Sequence, residues 1–419
     1  MDKNTMVRKC RVCGSRDVLP FLDLGDQPHG DSYLAKSELL KKEPYYPLRA
    51  CFCSTCSTVQ IDYTVPKEIM FENYVYMSGT TKTLRAHFEE STERLIKRFG
   101  LKEDDLVVDI GSNDGTWLEC YQGSGIRTLG IDGAKNLAKI ANEKGIETWD
   151  VFFNKKIADK VIAKKGEANL VTAAGVFFHL EELHSVTEGI AALIGERGVL
   201  CVQAIYLGEM LRIGAFDQIY HEHLTYWTLR SIEYLLSLYN LEVFSVQLLP
   251  IHGGTAEYLI AKKGTRPAEA SVAAMRRDEK ARELGELETY EDFAKRVWEI
   301  KKEVVSVLKK FKSQGRKVFA LGAPIKGATL LNSFGIGTDL IECAVEVNPL
   351  KIGKYMPGVR LPIRDEAQAG RPDAYFVLAW NFLPELLKKM KNYIEAGGAF
   401  IVPVPKVIVI DKINYSSHV

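Results

Sequence analysis

Between residues 105 and 122 the chain reads DLVVDIGSNDGTWLECYQ: an apolar run, a turn bounded by glycines and the start of a helix. That order is what a doubly wound α/β sheet uses to hold a nucleotide outside the carboxyl ends of its strands. The turn is not GxGxxG. Gly111, Asn113 and Gly115 give G-x-N-x-G, with an acidic Asp109 at the strand end. A pyrophosphate wants bare backbone amides at a helix N-terminus, and a carboxylate there repels it. An amino-acid ammonium is attracted instead, which favours S-adenosylmethionine (SAM) over NAD. In IRTLGIDGAKNLAKIANEKGI a second strand ends in Asp132, twenty-one residues after Gly111, positioned to accept both ribose hydroxyls. Helix capping is the other use of an Asp there. ANLVTAAGVFFHLEELHSVTEGIAALI repeats strand and helix with His179 at the junction, which in this architecture faces the ligand crevice. GVLCVQAIYL adds another strand, and Leu84, Phe88, Leu95, Ile96 and Phe99 predict a helix over 81–99 ahead of the first.

Five of the eight cysteines crowd the first sixty residues. CRVC and CSTC each set two thiols at the spacing that lets a tight turn present both to one tetrahedral zinc ion. Cys10, Cys13, Cys53 and Cys56 are the expected ligands, a closed shell that stabilises a small domain and activates no water. Cys51 is the competing member, expected on the opposite face of its extended segment. Thirty-nine residues separate Cys13 from Cys53, and the insert GDQPHGDSYLAKSELLKKEPYYPL reads as ordered loop and not sheet.

At 419 residues the chain should form two or three domains. Lys plus Arg is 55 against 54 for Asp plus Glu, so no broad basic face for nucleic acid or anionic membrane is expected. No apolar run reaches the roughly 18 residues of a membrane span, and the polar start lacks the core of a signal peptide. The expectation is a cytoplasmic protein acting on a small molecule, a monomer or weak dimer.

FDQIYHEHLTYW, residues 216–227, puts Tyr220, His221, Glu222 and His223 in a row after a buried strand. A flat strand would pair Tyr220 with Glu222 on one face; a helical turn would bring Asp217, Tyr220 and His223 to one side. Four adjacent titratable groups beside a ligand crevice predict a turn that carries chemistry more than a polar helix cap.

Residues 267–314 read as a helical connector, with Phe293, Val297, Ile300, Val304, Leu308 and Phe311 on one stripe. RKVFALGAPIKGATLLNSFG then repeats strand, turn and helix. Gly322 and Gly327 have Walker A spacing, but Ala328 occupies the lysine position, so no phosphate-hydrolysing loop is expected. Further strands make this a second Rossmann-like lobe, which either holds a second nucleotide or merely packs against the middle domain.

The ordered set CRVCG, YPL, CSTCSTVQ, DIGSNDGT, GVFFHLEEL, FDQIYHEHLTYW and IHGGT resembles the SAM-dependent C-methyltransferases of nucleotide-linked keto-deoxysugars, whose best-known members act at C-3′. The resemblance runs through almost the whole chain. It implies an α/β protein with a small zinc-binding N-terminal domain (1–78), a class I methyltransferase Rossmann-like middle domain (79–266), a helical connector (267–314) and a second Rossmann-like domain (315–419) closing on the nucleotide-sugar. It also implies the zinc set already named, SAM at the 111–115 loop and Asp132, and an active site of His179, Tyr220, Glu222, His223 and Tyr76, with Tyr74 the competing alignment. Ala256-Glu257 departs from the apolar residue and Arg of many relatives, and Asp132-Gly133 from their Glu-Pro. Methylating carbon needs a base near neutral pKa and a donor for the enolate oxygen. His223 is the expected base and Tyr220 its polarising partner, with Glu222 orienting and His179 near the methyl group. The rivals are O- or N-methylation of a similar sugar, or an NAD-dependent oxidoreductase using the LGAPIKG lobe.

Overall fold

Leu106–Ile110 is buried along its whole length, as a strand covered by helices on both faces must be. In the computed structural model, which describes residues 5–418 other than 73, 75, 81 and 252, it lies near the middle of a seven-stranded sheet. The order across that sheet is Leu241–Leu249, Thr255–Lys262, Val199–Ile205, Leu170–Ala174, Leu106–Ile110, Arg127–Ile131 and Thr148–Trp149. The last five are parallel, and the first two form an antiparallel hairpin on the edge of Val199–Ile205. The order reverses between Leu106–Ile110 and Leu170–Ala174, so a crevice opens there. This is the class I methyltransferase arrangement. The helix expected over 81–99 is observed as Lys82–Phe99, residue 81 lying outside the described residues.

The C-terminal residues build a second, six-stranded sheet in the order Ile363–Asp365, Ala344–Glu346, Val318–Leu321, Ala374–Val377, Ala399–Val402, Ile408–Ile410. Its first five strands are parallel and the sixth antiparallel, a further Rossmann-like lobe. Between the two sheets run helices Ala270–Ala281 and Leu287–Ser313. The stripe from Phe293 to Phe311 is buried, and Tyr290 on the same helix stacks on Phe52 of the N-terminal sheet at 4.9 Å. Glu279 reaches the start of helix Leu229–Ser237 and accepts from the Leu229 and Arg230 amides at 2.5 and 3.1 Å, satisfying donors a helix start leaves open.

The N-terminal sheet corrects one expectation and adds a feature. Strands Val18–Pro28 and Tyr45–Cys53 extend into both ends of the insert read above as loop. Irregular pairing between Pro20 and Leu22 and between Asp23 and Asp26 breaks the alternation, which hides the strand from a periodicity reading. Val59–Ile61 pairs on the other side of Tyr45–Cys53, and the fourth strand of this sheet is Thr225–Tyr226. The end of FDQIYHEHLTYW is therefore sheet-bonded to the N-terminal domain. Among the described residues no helix is long and apolar enough to cross a membrane.

Candidate active site and metal centre

The two CxxC turns fold alike. Gly14 N bonds Cys10 O at 3.0 Å and Ser57 N bonds Cys53 O at 2.8 Å, so each pair of thiols faces the same point. The Sγ atoms of Cys10 and Cys56, and of Cys13 and Cys53, are 3.5 Å apart, and all four lie within 4.8 Å of one another. Four thiolates about 2.3 Å from a tetrahedral zinc stand roughly 3.8 Å apart, so the set fits the ion. Cys51 is outside it, though not for the reason expected: residues two apart on a strand share a face. Cys51 is set back about 6.6 Å along the strand, while Cys53 enters the turn.

The crevice of the middle sheet holds a cavity of about 300 Å³. Gly111 and Asn113 line it from the loop after the first strand, Asp132 from the second, Phe152 from the third, His179 from the fourth and Ile205 from the fifth. Gly111 has φ +73° and a Cβ there would stand 2.9 Å from Val176, so the loop needs glycine on both counts. Asp132 is half-buried and its two oxygens accept the Asn113 and Ala134 amides, each at 2.7 Å. The capping expectation is not met, because helix Lys135–Glu143 has Ala134 at its N-cap and no side-chain cap bond. Gly133 is required by its neighbour: a Cβ would fall 2.2 Å from the Phe152 ring.

Asp109 and Gly115 do not line the cavity. Ile110 faces it, so by strand alternation Asp109 faces away. There it accepts the Thr172 hydroxyl at 2.6 Å, and burial pushes its carboxyl up to about 7. Gly115 precedes the short helix Thr116–Glu119 and packs toward Ile146.

The segment FDQIYHEHLTYW is a turn, and the turn sorts its side chains. After the 3-10 helix Phe216–Gln218, Ile219 is extended, and His223 N closes back on Tyr220 O at 2.9 Å. Tyr220 and His223 share the cavity wall with ring centres 3.9 Å apart, and His179 stacks on His223 at 5.2 Å. His221 turns the other way, toward the Tyr46 and Pro47 carbonyls of the N-terminal sheet. Asp217 does not join Tyr220 and His223, because the extended Ile219 interrupts the helical register. It accepts from Trp380 Nε1 of the C-terminal lobe at 2.7 Å. Glu222 also leaves the cavity and sits buried behind it, accepting the Tyr74 hydroxyl at 2.8 Å. Tyr74 and Tyr76 both line the cavity, and Tyr74 is the one that touches the predicted set.

His223 Nδ1 stands 2.8 Å from the Gln218 carbonyl, so that nitrogen carries the hydrogen and Nε2 holds the lone pair of the neutral ring. Burial pushes His179 down to about 4, which keeps it uncharged at neutral pH. Phe71 stacks on it from the segment 67–80. That segment straps the cavity: Lys67 pairs with Glu182, Glu72 with Lys135, and the Tyr74 backbone exchanges hydrogen bonds with the Asn136 side chain. Asn113 closes the strap onto the cofactor loop, accepting from Ser78 N at 2.9 Å and donating to Tyr76 O at 3.0 Å. Sequence reasoning missed Phe152, Phe71, Lys67 and Gln203, all on the cavity wall. Of these only Gln203, near the end of a predicted strand, had a signal. Glu257, the departure noted above, is buried. It accepts from Arg94 at 2.7 Å, Gln203 at 2.9 Å and Gln247 at 2.8 Å, fixing the Gln203 amide. His252 of the IHGGT run lies outside the described residues.

Three family models match the chain in order: a zinc binding domain over residues 10–71, a methyltransferase domain over 84–246 and a C-methyltransferase C-terminal domain over 250–405. C-methyltransferase NovU of Streptomyces niveus is 33% identical over 406 residues, 96% of this chain and 96% of that protein. Among solved structures, a SAM-dependent methyltransferase of Anabaena variabilis aligns with 43% of this chain and 86% of its own, at 18% identity and a TM-score of 0.33. Magnesium protoporphyrin IX methyltransferase of Synechocystis, with bound SAM, aligns with 43% and 79%, at 14% identity and 0.32.

Proposed function

The chain belongs to the C-methyltransferase family with an N-terminal zinc-binding domain and is a SAM-dependent methyltransferase; from that premise we propose that it methylates a carbon of a nucleotide-linked 4-keto-6-deoxy sugar, at C-3′. The observation that carries the reading is the convergence of Tyr220, His223 and His179 on the wall of the cavity that also holds Asn113 and Asp132. O- or N-methylation needs a base alone, whereas methylating carbon needs a base and a donor side by side. Tyr220 against His223 supplies that pair.

The 111–113 loop and Asp132 would hold SAM, which when bound would supply an electrophilic methyl group. His223, turned by the Gln218 carbonyl, takes the proton from the sugar carbon beside the ketone through Nε2. The electron pair of that C–H bond moves toward the ketone oxygen, and the Tyr220 hydroxyl donates to the oxyanion as it forms. The uncharged His179 puts no second positive charge beside a sulfonium. Glu222 acts through Tyr74, since burial removes it from the substrate. Ile325 brings the C-terminal lobe to the cavity wall, and that lobe takes the nucleotide half of the substrate. Such a substrate places the enzyme in deoxysugar biosynthesis in the cytoplasm.

The test is the product. With SAM labelled by carbon-13 in its methyl group and a nucleotide-linked 4-keto-6-deoxy sugar, NMR should show the label bonded to a ring carbon. Label bonded to oxygen or nitrogen, or no transfer to a keto sugar, would overturn the proposal.

A further inference from the structure

Glu222 is buried away from the cavity, and the group beside it comes from the N-terminal domain. While Oε2 accepts the Tyr74 hydroxyl, Oε1 stands 3.4 Å from His29 Nε2. Neither Oε1 nor that Nε2 has a hydrogen-bond partner among the described residues, so each is the other's nearest compensation. His29 follows strand Val18–Pro28, and its loop is clamped onto the C-terminal lobe. Gly30 lies so close to Ile325 that a Cβ would stand 2.7 Å from its Cγ2, and the Tyr33 hydroxyl donates to Ala323 O at 2.7 Å. The other ring nitrogen, Nδ1, lies 3.4 Å from Ser32 Oγ of the same loop.

We propose that His29 is a positioning residue for the methyl-transfer site: as a cation it keeps Glu222 a carboxylate, so that the Tyr74 hydroxyl points its hydrogen at Glu222 and its oxygen lone pairs at the substrate. A protonated Glu222 would donate to the Tyr74 oxygen instead and turn the Tyr74 hydrogen into the cavity. The charge on His29 thus sets whether Tyr74 meets the sugar as acceptor or as donor. This role rests on the methyl-transfer reading above.

The surroundings fit. Asp31 is a second carboxyl, half-buried, pushed up to about 7 by loss of solvent and then by Glu222, with Lys351, His29 and Lys354 opposing. Two carboxylates without a cation between them cannot both stay ionised in one buried site. His221 and His179, the other imidazoles around Glu222, are both pushed down to about 4 by burial and bring no charge. Burial works against a charge on His29 too, yet the Glu222 contact outweighs it and raises the imidazole above its ordinary value. Burial likewise works to raise Glu222, and the contact with His29, joined by His179 and the Tyr74 hydroxyl, outweighs it and holds the carboxyl below its ordinary value. Tyr74 and Tyr220, pushed well above the usual phenol range by burial, stay protonated as the bond requires.

The zinc-loaded full chain, labelled with carbon-13 in its glutamate carboxyls, tests this by infrared difference spectroscopy, with Glu222→Gln identifying the Glu222 band. The expected result is a carboxylate band in the wild type at neutral pH and, in His29→Gln, a Glu222 ionisation at least about one pH unit higher than in the wild type, tenfold in proton affinity. The acid limb of kcat should move up by the same amount, with KM for SAM within about threefold. Glu222 ionising at the wild-type pH in His29→Gln overturns the proposal. If that variant fails to fold, nitrogen-15 spectra of wild-type His29 decide: two N–H nitrogens at neutral pH are expected, and a neutral ring overturns it. The spectra need no turnover, so a wrong substrate assignment leaves this test standing, and a null here leaves methyl transfer standing.

Discussion

His223 N on the Tyr220 carbonyl is the smallest contact on which the site depends, because that 2.9 Å closure puts both rings on one wall and sends His221 and Glu222 elsewhere. Adjacent residues thereby acquire unlike surroundings, and unlike surroundings give unlike roles. The same reasoning separates two tyrosines. Tyr74 donates to Glu222, whereas among the described residues the Tyr76 hydroxyl makes no hydrogen bond to the set, so Tyr74→Phe should lower kcat by about a hundredfold. Tyr76→Phe should change it by less than about tenfold, and steady-state kinetics of the two variants checks the contrast. Asp109 carries a prediction about stability. Its carboxyl is pushed up to about 7 in the fold against an ordinary value near 4 in the unfolded chain. A folded pKa above the unfolded one gives stability that is full below the unfolded value and is lost as pH rises through the folded value. Asp109→Asn, which can still accept from Thr172, should therefore gain on the wild type as pH rises from about 4 to about 7, by a few kcal/mol at the plateau. Denaturant unfolding across that range measures it; a gap independent of pH would refute the assignment.

The strap over residues 67–80 joins the cofactor loop to the active site at the level of whole elements. Asn113 makes that junction with two hydrogen bonds at about 1 kcal/mol each. Asn113 also has φ +54°, so glycine is the replacement that removes the side chain without adding strain. Asn113→Gly should raise KM for SAM by about tenfold or more while kcat falls less. An unchanged KM would mean the strap closes without Asn113. What could be read from sequence follows the range of the interactions. The CxxC turns are local, and so is the 3.6-residue stripe from Phe293 to Phe311, and both were legible. The doubly wound sheet was legible because its strand-turn-helix units are contiguous. The contacts of Glu222 with His29 and of Thr225–Tyr226 with Val59–Gln60 cross more than 150 residues, and no local pattern encodes them. Bulges concealed the long N-terminal hairpin. Asp109 was misplaced because its position in the motif was weighed and its parity along the strand was not.

At the scale of the molecule the zinc-binding domain packs directly against the candidate active site. Its sheet takes Thr225–Tyr226 as a strand, its Tyr46 and Pro47 carbonyls hold His221, and its loop supplies His29. Stripping zinc with a chelator should therefore abolish turnover while the SAM dissociation constant, read by calorimetry, moves by less than about tenfold, or 1.4 kcal/mol. Equal loss of both would mean that the domain merely stabilises the fold. The proposed mechanism requires that a base on this cavity wall make a carbanion equivalent of the substrate before any methyl moves. Deuterium exchange reads that step alone: a nucleotide-linked 4-keto-6-deoxy sugar, the enzyme and S-adenosylhomocysteine are incubated in deuterated water, and the sugar is examined by NMR. The account predicts enzyme-dependent deuterium at the carbon beside the ketone, lost in His223→Ala. No exchange with the wild-type enzyme, or exchange undiminished in His223→Ala, would contradict it.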